Sequence, residues 1–91
     1  MHIPLEEALS LLRSWRNEGT RLGIHASGSG FRQELRATIR EMKGTVVELC
    51  DDRTKLQVDL QGADFNGDLS APGYLVCEFR NGDRYSFYVL R

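Results

Sequence analysis

Arg32, Arg36 and Arg40, followed by Lys43, repeat at spacings of four, four and three residues. The three arginines therefore gather on one surface whether their segment is a helix or a strand. A guanidinium presents a planar fork of donors that matches carboxylate and phosphate oxygens two at a time. The chemistry these four residues suggest is the holding of an anion, with RNA or another polyanion as the ligand. The competing use is a solvated stripe neutralised by Glu34, Glu41 and the acidic later part of the chain, and the overall charge of −1 favours that use.

Other residues capable of chemistry are scattered. Cys50 and Cys77 lie far apart with no C-x-x-C or Cys/His run around them, so they read as free buried thiols, not metal ligands. His2 and His25 are isolated, and His25 reads as a solvated imidazole on the outer side of a strand. No metal or cofactor is expected. Gly28-Ser29-Gly30 is not followed by the G-x-x-x-x-G-K-[ST] pattern of a phosphate loop. Asp64, Asn66 and Asp68 alternate as oxygen donors, but they lack the spacing and terminal Glu of a calcium loop and read as solvated turn acids. No nucleophile has a paired base and no two acids suggest acid/base work, so an enzyme is not expected.

The charge is uneven. Residues 13 to 43 carry a net +4 and residues 44 to 91 a net −3, and ten of the twelve cations are arginines. Charged residues at 27% and hydrophobic ones at 41% are ordinary globular usage, which argues against disorder, and 91 residues suffice for one domain, residues 1–91, with one modest core. No apolar run approaches the ~20 residues of a membrane span. The opening MHIPLEEALSLLRSW sets acids and Arg13 among its leucines where a signal peptide would be uniformly apolar, so a cytoplasmic location is expected.

The positioning elements follow from periodicity. Val47, Leu49, Leu56, Val58 and Leu60 alternate with Glu48, Gln57, Asp59 and Gln61, around the polar connector Asp51-Asp52-Arg53-Thr54. That pattern predicts a β-hairpin over residues 45–60, which needs further strands and a covering element to bury its apolar face. Leu5, Ala8, Leu9, Leu12 and Trp15 form the 3.6-residue stripe of a helix over 4–18, with Pro4 in its first turn, Glu6 and Glu7 at its positive end and Gly19 as cap. Trp15 continues the stripe and reads as a packing anchor.

Leu22, Ile24 and Ala26 alternate with Arg21, Gly23 and His25 in a strand over 20–27. The segment Phe31–Lys43 fits a helix with Phe31, Leu35, Ile39 and Met42 on one side, and equally a strand with Phe31, Leu35, Ala37 and Ile39 inward. The short Gly-Ser-Gly link, which usually returns an antiparallel partner, favours the strand. Strands are expected over 32–50, bent or broken near Gly44, and over 54–61. Residues 62–73, with three glycines and Pro72, read as the longest loop, pinned by Phe65 and Leu69. Strands over 74–80 and 84–90 meet at Asn81-Gly82, a type I′ turn pair. Their second face carries Val76, Tyr88 and Leu90, which a monomer would prefer polar, and this marks a candidate interface.

This layout, an N-terminal helix and then five antiparallel strands with a long bent second strand, resembles the Sm-like small β-barrel. Gly44, Val46, Leu49 and Asp51 resemble the glycine, spaced hydrophobics and acid of its first motif, with Thr54 where an asparagine is usual. Arg80–Asp83 resembles its second motif, with Asn81 inserted. The resemblance implies an α+β, mostly β fold, a strongly bent antiparallel sheet closed as a small Sm-like or SH3-like barrel, ring-forming oligomers through edge strands, and RNA binding in the loops. Together these readings favour a non-enzymatic binding or assembly module, self-associating through a sheet edge or the outer face of the last hairpin. RNA or polyanion binding through Arg32, Arg36, Arg40 and Lys43 is the alternative.

Overall fold

A computed structural model describes residues 2–51, 53–68 and 73–90. In chain order the elements are β1 (His2–Ile3), α1 (Leu5–Glu18), β2 (Leu22–Gly28), β3 (Phe31–Lys43), β4 (Val46–Cys50), β5 (Lys55–Asp59), β6 (Asp64–Asp68), β7 (Tyr74–Glu78) and β8 (Arg84–Val89). The protein is mostly β with one N-terminal helix, as its periodicities predict.

The helix begins after Pro4, whose carbonyl accepts from the Ala8 N–H at 3.0 Å. It ends at Gly19, which takes φ +64° while the Thr20 N–H donates to the Trp15 carbonyl at 2.9 Å. That left-handed residue with its backward hydrogen bond is what a glycine after the last turn permits. Ala8, Leu9, Leu12 and Trp15 are buried, whereas Leu5 is exposed because it starts the helix ahead of the core.

The strands form one antiparallel sheet of eight in the order β1-β6-β7-β8-β2-β3-β4-β5, not the five-stranded barrel expected. Sequence neighbours β5 and β6 lie near opposite ends of that order and do not pair. Only residues 60–63 join them, and five Cα steps span at most ~18 Å, so the sheet must curl until its two ends approach. It curls without closing. Helix α1 lies against β3 and β6, and Leu12 and Trp15 join Ile24, Ile39, Leu49, Val58, Leu75 and Phe87 in one core.

Phe31–Lys43 is a strand, and residues 32–50 are broken at Gly44, the second of the two expected alternatives, into β3 and β4. Gly44, at φ +58°, begins a full reversal in which Lys43 faces Val46. The bend sits earlier, at a bulge around Arg40 where the register shifts between Ile39 and Glu41. Residues 31–37 of β3 pair with β2, and residues 38–43, on both sides of the bulge, pair with β4. Ala37 and Ile39 are buried as expected, but Phe31 is exposed because it sits at the hairpin tip opposite Gly28, beyond the core.

The hairpin at 45–60 has the anticipated register, with Val47 facing Val58 and Leu49 facing Leu56. Two expectations for the second half need correction. Part of the presumed loop 62–73 is strand β6, because Phe65 and Gly67 face inward and give β7 and β1 a partner on either side; Leu69 and Pro72 lie outside the described residues. Asn81-Gly82 does not form a two-residue turn. The strands end at Glu78 and Arg84, and the Phe79 N–H reaches the Asp83 carbonyl at 2.9 Å, enclosing a wider loop in which Asn81 accepts from the Asp83 N–H at 2.9 Å.

Candidate anion-binding face

The outer surface of the sheet is a grid fixed by strand register. One row across β3, β2, β8 and β7 reads Arg36, Gly23, Tyr88, Tyr74; the next reads Glu34, His25, Ser86, Val76; the third reads Arg32, Ser27, Arg84, Glu78. Alternation along each strand places all twelve side-chain positions on the wet face, because Ile24, Leu75 and Phe87 take the other.

The bulge divides the predicted basic stripe. Arg32 and Arg36 lie on this face. Arg40 lies in the bulge itself, 3.7 Å from Glu48, and Lys43, beyond it, is 3.7 Å from Glu41; Lys55 also reaches Glu48, at 3.9 Å. Arg21, Arg32, Arg36, Arg53 and Arg84, by contrast, have no carboxylate within ion-pair distance among the described residues. Three of these five were not singled out in the sequence. Arg21 already alternates outward with Gly23 and His25, but its neighbours are set by pairing across the sheet.

Arg21, Arg36 and Arg53 converge on an open depression of about 600 Å³, lined also by Glu34, Leu35, Asp51 and Thr54. It continues over Thr38 and Cys50. Asp51 and Glu34 are its counter-charges, and the Asp51 carboxylate is held below the usual range first by backbone N–H donors of Arg53 and Thr54, at 2.7 and 2.5 Å, and then by the Arg21 and Arg53 charges. Asp51 is thus committed to closing its own turn. A second depression, of about 610 Å³, lies between Arg32 and Arg84 beside Ser27, His25 and Ser86.

His25 is exposed on the outer face, as expected, but it is not isolated. Its Nε2 lies 2.9 Å from the Tyr88 hydroxyl and 3.2 Å from Glu34 Oε1, and the His25 and Tyr88 rings are 5.3 Å apart. Tyr88 is half-buried because its ring crosses the bare backbone at Gly23. Val76 is half-buried on the same face, and Leu90 lies past β8 with its N–H on the Arg21 carbonyl at 3.0 Å.

The two segments that resemble Sm motifs stand apart: Asp51 borders the Arg36 depression, whereas Asp83 lies beside Gly28 at the other end of β2. Asp64 and Asp68 sit on β6, and among the described residues no group of three or more His, Cys, Asp or Glu is placed to hold a metal. Among the described residues no helix is long and apolar enough to cross a membrane. Comparison with family models, with curated proteins and with solved structures finds no match to this chain.

Proposed function

We propose that this protein is a non-enzymatic binding module whose outer sheet face holds single-stranded RNA or a similar extended polyanion. The observation that carries this reading is the division of the cations. Arg40, Lys43 and Lys55 are matched by Glu41 and Glu48, whereas Arg21, Arg32, Arg36, Arg53 and Arg84, unmatched among the described residues as Arg13, Arg16 and Arg80 are elsewhere, line the two depressions of a face on which Tyr88 and Tyr74 lie side by side. Arginines that follow a phosphate backbone, together with aromatic rings on which bases stack, are the general equipment for single-strand binding. The overall charge of −1 does not oppose it, since the local field of the face governs approach of the ligand. Fluorescence anisotropy with a labelled oligouridylate at low salt tests it. Affinity should fall steeply with salt, and Arg36→Ala or Tyr88→Ala should weaken it at least several-fold while Arg40→Ala leaves it unchanged. Absence of binding at low salt, or equal loss in all three variants, removes the reading.

A second reading, self-association, is favoured by the position of Tyr74, which is 48% exposed and continues an apolar patch through Tyr88 and Val76. Strands β7 and β8 are both paired on either side, so association there would be face to face; edge pairing would use β1, β5 or the unpaired side of the first half of β3. Light scattering at high concentration separates the cases, because a strict monomer eliminates assembly and leaves nucleic-acid binding intact.

A further inference from the structure

The first half of β3 has one partner where an internal strand has two. Residues 31–37 pair with β2, residues 38–43 pair with β4, and after Cys50 the chain turns away at Asp51 into the tight connection to β5. Among the described residues, no strand meets the other edge of residues 31–37. The burial pattern agrees: Phe31, Arg32, Gln33, Glu34 and Arg36 are exposed, and Leu35 is only half-buried although it points to the core side.

The depression of about 600 Å³ lies along this edge. Glu34, Leu35 and Arg36 all line it, and consecutive strand residues turn their side chains to opposite faces, so the wall they share is the strand's edge. An edge of this kind carries backbone N–H and C=O groups with no partner in the sheet, a template for adding a strand. Here Arg21, Arg36 and Arg53 all line the depression that runs along it.

We infer that the free edge of β3 at residues 31–36 is a docking site for an extended acidic peptide, which adds as a strand along the line that β4 abandons at Cys50. Backbone hydrogen bonds to β3 supply the generic attachment, and cross-strand side-chain pairs supply the choice of sequence. Charge complementarity fixes the occupant. Outward positions of the added strand lie beside Arg32, Glu34 and Arg36, so the matching peptide carries acids at i and i+4 and a basic residue at i+2. Its inward positions lie beside Gln33 and Leu35, where an apolar side chain covers the exposed flank of Leu35. Six residues of strand offer ~20 Å of edge, room for a peptide of about six residues. The inference stands apart from the nucleic-acid reading, although the two share Arg36.

The test is amide hydrogen exchange and chemical-shift mapping of the whole chain with a capped heptapeptide bearing Glu at positions 2 and 6, Lys at 4 and Val at 3 and 5. Expected are slowed exchange at alternate amides within 31–36, at least tenfold weaker binding for Arg36→Glu, and loss of binding when the peptide's charges are reversed or its backbone is N-methylated on the β3-facing side. Equal binding of the reversed peptide, no response at millimolar peptide, or shifts confined to arginine side chains with the β3 amides unprotected would overturn it. So would an oligouridylate, and not the peptide, protecting residues 31–36. Peptide binding without oligouridylate binding to the outer face would refute the nucleic-acid proposal alone.

Discussion

The ring of Tyr88 occupies the space that a side chain at Gly23 would fill: a Cβ at residue 23 would lie 2.3 Å from the Tyr88 Cζ. The two residues face each other across β2 and β8, and this crossing sets Tyr88 where its hydroxyl meets His25. A glycine inside a strand is costly on its own. Here its bare backbone is the floor on which an aromatic ring of the candidate site rests.

Gly23→Ala should therefore displace the Tyr88 ring and break its contact with His25. Inserting a methyl group under a packed ring costs typically 1–3 kcal/mol, and the lower end applies because the half-buried ring has solvent to move into. In a double-mutant cycle the cost should shrink when Tyr88 is also alanine, giving a coupling energy of at least ~0.5 kcal/mol between the two sites. Additive denaturant melts would show that the ring does not depend on the glycine.

Trp15→Ala should leave the protein largely unfolded. Trp15 is 4% exposed in the same core as Leu12, Leu49, Val58 and Phe87. Truncating a buried aromatic costs about 3–5 kcal/mol, a large share of the ~5–15 kcal/mol that holds a small domain. Arg36→Ala, on the wet face, should change stability by less than ~0.5 kcal/mol. Paired urea melts check both, and a Trp15→Ala protein that melts like the parent would place the tryptophan outside the core.

What was legible in the sequence was local. The helix from Leu5 to Glu18 and the register of Val47 with Val58 follow from periodicity within one segment, and the strand character of Phe31–Lys43, on which periodicity is ambiguous, follows from the short Gly28-Ser29-Gly30 link before it. The extra strand Asp64–Asp68 was hidden because its inward residues are Phe65 and Gly67, and a glycine gives no apolar signal; Gly67 is required there because a Cβ would fall against the Tyr74 carbonyl. The bulge at Arg40 has no composition signature, and it is the bulge that separates Arg32 and Arg36 from Arg40 and Lys43. The site was half visible for the same reason. Outward positions can be read along one strand, but the meeting of Arg36 with Arg21 and Arg53, or of His25 with Tyr88, depends on which strands lie side by side.

Acid should unfold the protein partly through two turn aspartates. Thr45 Oγ1 donates to Asp59 Oδ1 at 2.7 Å and the Gln61 N–H donates to the same oxygen at 3.0 Å, which lowers the Asp59 pKa; Asp51 is lowered by the N–H groups of its own turn. These donors favour the charged form in the folded state only. The stability they confer is therefore present above the unfolded aspartate pKa of about 3.9 and is lost as pH falls through the lower folded values. Asp51→Asn and Asp59→Asn should each lower stability at pH 7 and flatten its decline between roughly pH 5 and pH 2. An unchanged decline in both variants would assign the acid sensitivity to other carboxylates.

The two thiols should report different events. Cys77 is fully buried on β7, and burial pushes its thiol up to about 12, so almost none of it is thiolate at neutral pH. Cys50 is half-buried at the end of β4, beside the depression lined by Arg21 and Arg36. Under native conditions at pH 8 a thiol reagent such as iodoacetamide should modify Cys50 first. Cys77 should react only through opening of the core, at a rate that rises steeply across the urea transition and that is already raised in Trp15→Ala. If Cys77 in the folded protein were modified as fast as Cys50, β7 would have to open independently of the core that Leu75 and Phe87 hold together.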